Sequence, residues 1–488
     1  MRPVTLLLLL IVLATVGGAA AYTNYQRILF AAAQQDRASA PEPPPAARSA
    51  TSEDPDPLKK KIAFFEDQIK LLKKENENLG KSVEKLSQAA VTKPSATPET
   101  APAGFSAEGL VSSVEEIRQL KFKRPLKFVR VPASEIEKRI RGEIEAEFPP
   151  QQVQAREHAA RAIGLVQDPF KFLDALVGLT FEQAGGYYDA ARAEMLIDQD
   201  ADFEARADLK GKLVKEIACA LLQQHFGTPS LSGFSATNDD AALARRALFI
   251  GDAVVTKIHY GVVDALNTDY SRAQQPSAQT QFTGAPLFMR ELFLFPYMMS
   301  SNFSQELQQG GTSPDAAFAR PPGSTAEILH VELYQRKAAF EPVAIAWRDI
   351  AVQQTPPFFD NVLGEFGIYI LLKRHLSEDQ AFNASVGWRG DRYVCYPGDE
   401  KNGDHIFWST AWESEADAAD FAKAIQTTLL HRYSIPWNKR YEQEGGAFVV
   451  NDPYRVVRIR RSADNKGVTV VDATSGDFAD AIEEKLRQ

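Results

Sequence analysis

Apolar and polar positions fall into four regimes along the chain. Val4 to Ala21 carries no acid or base, has five consecutive leucines at Leu6 to Leu10, and meets its first charge only at Arg27. Leu58, Ile62, Phe65, Ile69, Leu72, Leu79, Val83 and Leu86 then follow in alternating steps of four and three, with Asn76 at the single gap. That alternation is the seam of a heptad repeat. From Phe105 to about Leu376 the spacing is mostly helical. Leu213, Ile217, Ala220 and Leu221 define one buried helix, stopped by Gly227 and Pro229, and Leu243, Ala247, Leu248, Ile250, Val254 and Ile258 define a second. Towards the end the period drops to two. Arg392–Tyr396, His405–Trp412, Tyr454–Arg460 and Val468–Val471 read as strands, with a helix capped by Ser414 running from Glu415 to about Arg432 and a last helix from Asp477 to Leu486.

The expected fold class is therefore α+β, a mainly helical domain over 105–380 with a small α+β unit on an antiparallel sheet over 381–488. Within the helical domain, Phe122–Val131 predicts an edge strand, Ser134 a cap for a helix starting at Glu135, and Gly185–Ile197 a hairpin turning at Asp189–Ala193. Ahead of it, residues 23–57 (including Pro41-Glu42-Pro43-Pro44-Pro45) and 89–104 are too rich in Pro, Ala and Ser to build a core, and read as disordered linkers.

Residues 58–88 between them read as a parallel two-stranded coiled coil. With Leu58 at d, the a positions are Ile62, Ile69, Asn76 and Val83, and Lys61 at g faces Glu66 at the partner's e. β-branched residues at a, leucine at d and one buried asparagine specify that geometry and its register. Residues 1–22 fit either a cleaved signal peptide ending in Ala19-Ala20-Ala21 or an uncleaved membrane anchor. The anchor is preferred because a pairing stalk follows it. No lipobox cysteine is present, which sets a lipoprotein aside. The bulk of the chain is expected outside the cytoplasm, single-pass at the membrane, or secreted if the start is cleaved.

Composition narrows the function classes. The chain has 488 residues and a net charge of −9, which argues against a broad nucleic-acid footprint. Its two cysteines, Cys219 and Cys395, are too few and too far apart for a disulfide scaffold or a zinc ribbon. Phosphate-loop, dinucleotide and serine-elbow signatures are missing from the sequence.

Several strings in a fixed order carry a resemblance over about 117–424. They are Gly186-Tyr187-Tyr188-Asp189, the Glu216 helix ending in Gln224-His225-Phe226, Gly251-Asp252-Ala253, Leu294-Phe295-Pro296-Tyr297, Pro321-Pro322 with Ser324-Thr325, Ile328-Leu329-His330, Leu363 to Gly367, and Gly387 to Tyr393. Together they resemble bacterial secreted or membrane-anchored zinc metallopeptidases of the gluzincin type. The resemblance implies an H-E-x-x-H helix whose histidines, with a glutamate from a later helix, bind zinc, and whose motif glutamate is the general base. In this sequence the corresponding ligand positions are Lys215, Cys219 and Ile250, and only the base position, Glu216, keeps its residue.

A catalytic zinc needs three protein ligands and an open position. An ammonium donates and offers no lone pair, and an isoleucine offers no donor atom at all. The expectation is a degenerate member without a zinc site and without a cofactor. Lys215 and Glu216, being adjacent on a helix, are expected not to face each other, with Lys215 filling the vacated cation position by pairing with another carboxylate. Tyr187 and His330 are the candidates for a surviving groove, although His330 fits a hydrogen-bonding role inside the fold equally. Asp391 and Arg392 beside Trp388 suggest a structural ion pair, and Glu365 between glycines a tight packing site.

The functional expectation is a membrane-tethered, extracytoplasmic pseudopeptidase acting as a binding or scaffold module. It would self-associate through the stalk and take a peptide or an envelope component, but no nucleic acid. A hydrolase with altered, metal-independent chemistry and a ligand-free structural stalk protein are the alternatives. Replacing Asn76 by Ile should tighten self-association but loosen its stoichiometry, as read by sedimentation equilibrium. A wild-type ectodomain that is monomeric at micromolar concentration would refute the stalk.

Overall fold

The structure is a computed structural model. It describes residues 106–487, apart from 168, 204–205, 268–279, 310, 337–339, 348–355, 400–402, 437–446 and 453. The apolar start, both linkers and the coiled coil with Asn76 lie outside the described residues. Among the described residues, no helix is long and apolar enough to cross a membrane.

The chain opens with α1 (Ala107–Arg118), capped by Ser106, then β1 (Lys127–Val131), α2 (Ala133–Glu147), α3 (Pro150–Ile163) and α4 (Phe172–Gln183). The hairpin β2 (Tyr187–Asp189) and β3 (Glu194–Asp198) follows, and β1 joins it parallel to β3, giving a three-stranded sheet in the order β1-β3-β2. β1 is thus an edge strand and the hairpin turns where its pattern placed it. The cap at Ser134 is not found. α2 begins two residues earlier, at Ala133 after Pro132 in an extended conformation, and no side chain caps it. Proline cannot donate a backbone hydrogen bond, so it takes the boundary position.

Two long helices form the centre. α5 (Ala207–Phe226) buries Leu213, Val214, Ile217, Ala218, Ala220, Leu221 and Leu222 completely. It has no outward polar stripe along this stretch, as expected of a helix enclosed by the fold. α6 (Asp239–Asn267) packs against it, with Asp239 and Asp240 in its first turn, where the positive end of the helix dipole favours acids. α7 (Thr280–Gly284) is short. α8 (Leu287–Gln309), with Pro296 inside, lies along α6, followed by the short helices α9 (Pro314–Ala319), α10 (Thr325–Leu329) and α11 (Val331–Gln335).

The second sheet begins before residue 381, with β4 (Phe359–Asn361). α12 (Gly364–Lys373) and α13 (Glu378–Asn383) separate it from β5 (Trp388–Asp399) and β6 (Gly403–Trp412). α14 (Glu415–Arg432) starts at a capping box in which Ser414 and Asp417 exchange hydrogen bonds. β7 (Phe448–Asp452), β8 (Arg455–Arg461), β9 (Gly467–Ala473) and α15 (Gly476–Arg487) complete the chain. The six strands are antiparallel, in the order β4-β5-β6-β9-β8-β7. Alternate residues feed opposite faces. Trp408 and Val470 join the main core with Phe421 and Ile425 of α14, while Phe407 and Val471 pack with Phe478 and Ile482 of α15. The sheet is therefore covered by helix on both sides, and the fold is α+β. The main core runs on from this sheet through α12 into α6, α4 and α2, so the two segments expected from the sequence share one apolar interior.

The joint between them is built from polar atoms. Asp391 on β5 is buried and accepts four hydrogen bonds, from the backbone of Leu363 and Gly364 at the start of α12 (3.1 and 2.9 Å) and from the indoles of Trp388 and Trp408 (both 3.0 Å). Gly364 has φ +71°, and a Cβ there would come within 1.9 Å of Asp240 Oδ1. Only glycine fits this approach. Asp240 in turn accepts from the backbone and hydroxyl of Thr325 on α10 (3.0 and 2.5 Å). The expected Asp391–Arg392 pair is not formed, because neighbours on a strand point to opposite faces. Arg392 pairs with Asp360 at 2.9 Å instead.

Candidate functional site

Lys215, Glu216 and Cys219 lie on the middle turns of α5, where flanking leucines and alanines anchor the helix on both sides. Lys215 and Cys219 share a face at a spacing of four, and Cys219 and Ile250 border the same apolar cluster where α5 meets α6.

The Lys215 side chain departs from expectation. Its Nζ lies 2.7 Å from Glu216 Oε1, with the two side chains only 7% and 18% exposed. Adjacent helical residues point about 100° apart, but a four-carbon stem and a two-carbon stem are long enough to curl their heads together. The lysine therefore finds its carboxylate next door and not on another helix. Its Nζ also reaches Tyr297 of α8, 3.4 Å from the hydroxyl and 5.4 Å from the ring centroid. Burial alone pulls an ammonium's pKa down. The charges of Glu216, Tyr297 and Cys219 outweigh that, and the Lys215 pKa is raised well above its ordinary value. Lys215 is thus a buried cation held by its neighbours.

Cys219 is a half-buried free thiol. Burial and the nearby Glu216 push its pKa up to about 12. A thiol in that state is a poor nucleophile and a poor ligand at neutral pH. Ile250 packs as a hydrocarbon against the same cluster. Among the described residues, no three of His, Cys, Asp and Glu converge in a way that could hold a metal ion.

The groove candidates belong to two separate networks. Tyr187, on β2, donates its hydroxyl to Glu143 Oε2 on α2 at 2.7 Å. His330 ends α10 with its ring buried and its Nε2 2.6 Å from Glu365 Oε1 on α12, the glutamate being 1% exposed. Burial disfavours the imidazolium, but the Glu365 carboxylate more than offsets it, and the His330 pKa is raised. This pair, with Glu332 at 4.0 Å from Nδ1, ties α10 to α12. The end of α5 is also tied down. His225 Nε2 lies 2.8 Å from the Lys121 carbonyl, and Gln224 bonds Tyr188 and the backbone of Arg124.

Sequence reasoning missed two features beside this region. Asp252, in the Gly251-Asp252-Ala253 string, meets Arg118 of α1 at 2.7 Å, a pairing across 134 residues of sequence that no spacing rule announces. Arg156 on α3 is buried, pairs with Asp239 at 2.6 Å, and is surrounded by the rings of Phe148, Phe172, Phe234 and Phe359 at 5.1–5.7 Å. Its signal would have been an arginine on the apolar face of a helix.

Residues 356–483 match the family described as a domain of unknown function (DUF8575). The matched span takes in the six-stranded sheet with α12, α13, α14 and most of α15. No curated protein and no solved structure matches the chain.

Two outcomes are expected. Lys215→Ala strands Glu216 and should cost on the order of 3 kcal/mol in urea unfolding, much of it recovered in the Lys215→Ala, Glu216→Gln double variant. An unchanged midpoint would refute the pairing. The raised His330 pKa makes a stabilising contribution that is full below the unfolded histidine value of about 6.5 and is lost as pH rises through the folded value. His330→Gln should therefore flatten the fall of the melting temperature above pH 6.5, and an unaltered slope would contradict the assignment.

Proposed function

We propose that the chain is a membrane-tethered, extracytoplasmic binding module, dimerised through the 58–88 stalk, whose peptidase-like helix pair performs no zinc-dependent catalysis. The observation that supports this most is the Lys215–Glu216 contact at 2.7 Å. A general base must present a free lone pair to a water activated by the metal. In this arrangement the glutamate at the base position faces an ammonium, and the ammonium occupies a ligand position. Ile250 supplies no donor at the third. The same contact weighs against a metal-independent hydrolase built on Glu216, because the carboxylate is engaged before any substrate arrives.

A binding role also agrees with the packing. α5 is enclosed, and Lys215, Glu216, His330 and Tyr187 are each engaged in contacts inside the fold. The purified ectodomain should carry well under one equivalent of zinc by elemental analysis and show no chelator-sensitive hydrolysis of casein. Stoichiometric zinc, or cleavage abolished by chelator and restored by zinc, would overturn the proposal.

A further inference from the structure

A cavity lies between α3, α4, α6, α8 and α12. It encloses about 900 Å³ counted out to open solvent. An apolar lining with a few convergent polar groups is the character of small-molecule sites. Its walls are apolar, with Leu176, Leu243, Phe288, Met289, Phe293 and Ile370 among them. Arg156, Asp239, Asp240 and Arg246 are the ionisable Arg and Asp residues in its lining.

These four are not in the same condition. Arg156 and Asp239 are paired with each other. Arg246 is 6% exposed, and its Nη1 is buried without a hydrogen-bond partner. Asp240 is 2% exposed, and its Oδ2 likewise has none, although Oδ1 is held by Thr325. Burial, with Asp391 and Glu365 nearby, raises the Asp240 pKa to about 8 against the pull of the Thr325 bonds, so at neutral pH it is mostly a carboxylic acid and a donor. The lining then holds two guanidinium charges and one carboxylate, which leaves one positive charge uncompensated. The position of Arg246 is also fitted. Gly233, at φ +72°, lets its stem pass, since a Cβ there would lie 2.7 Å from Arg246 Cδ.

A buried guanidinium nitrogen without a hydrogen-bond partner is costly, and buried charges are ordinarily paired. We infer that this cavity binds a small amphiphilic monocarboxylate, its chain among the apolar walls and its carboxylate on Arg246 with Asp240 donating beside it. An ammonium-bearing ligand is disfavoured because Asp239 is already taken by Arg156. This inference does not rest on the peptidase-like reading of α5, and either can fail without the other.

The test uses the full purified chain in detergent, with decanoate, decylammonium and 1-decanol below their aggregation limits as probes, read by titration calorimetry and thermal shift. Decanoate should bind one to one, at least tenfold tighter than decylammonium or decanol, and should raise the melting temperature. Arg246→Met should weaken decanoate at least tenfold while melting no lower than wild type without ligand. Met289→Trp, which fills the chain site and leaves Arg246 in place, should also lose decanoate binding. Equal affinity for decanoate and decylammonium would overturn the inference. So would undiminished binding by Arg246→Met, an Arg246→Met variant that melts lower or fails to fold, or binding of an acetylated tripeptide ending in leucine when decanoate does not bind.

Discussion

The buried carboxylate of Asp391 is the constraint on which the arrangement of this fold depends. It gathers two indoles from neighbouring strands and two backbone amides from the first turn of α12. An acid accepting hydrogen bonds at a helix N-terminus both satisfies orphan donors and meets the positive end of the dipole. It also fixes where α12 leaves the sheet. Gly364 then sits in a left-handed conformation against Asp240, so the sheet and the central helices meet backbone to side chain with no room for a methyl group. Glu365 and Thr325 continue the same seam through His330 and Asp240. The apolar interior supplies the bulk of the driving force. The polar seam sets the angle at which the two halves close, and so the shape of the cavity beside it.

Elsewhere in the fold, charge is handled differently. Lys215 and Glu216 neutralise each other, and Tyr297 takes up the remaining face of the ammonium. Arg118 meets Asp252 and Arg156 meets Asp239. Arg246 stands apart from this pattern, and the contrast gives its position meaning. A fold that pairs its other buried cations so closely does not leave a guanidinium nitrogen unbonded in an apolar cavity without a cost to stability.

Much of the architecture was legible because its periodicities are strong. α5, α6, α14 and the strands β5, β6, β8 and β9 follow from spacing and caps that depend only on local sequence. β4 did not, because three residues, Phe359-Asp360-Asn361, carry no alternation that can be read, and their place is set by pairing with Tyr393 to Cys395. β7 was legible in Phe448-Val449-Val450 after the Gly445-Gly446 turn signal, and was passed over. Lys215, Cys219 and Ile250 were visible as residue types on two helices. How Lys215 is satisfied was not, since adjacency on a helix says where stems point and says little about where long flexible heads arrive. The seam at Asp391 was partly visible as a cluster of tryptophan, acid and glycine. Its partners lie far off in sequence, so their identity is a tertiary fact.

The contact between Lys215 and Glu216 also constrains how this chain can change over generations. Removing either residue first leaves the other as a buried, unanswered charge. A loss on the order of 3 kcal/mol is a large part of the 5–15 kcal/mol that holds a typical domain folded. Single-step substitutions at either position are therefore hazardous, while the simultaneous double change is mild. The two codons behave as one inherited unit. A lineage carrying this pair finds any change at one of the two positions opposed at its first step, by the arithmetic of folding and independently of any demand on activity.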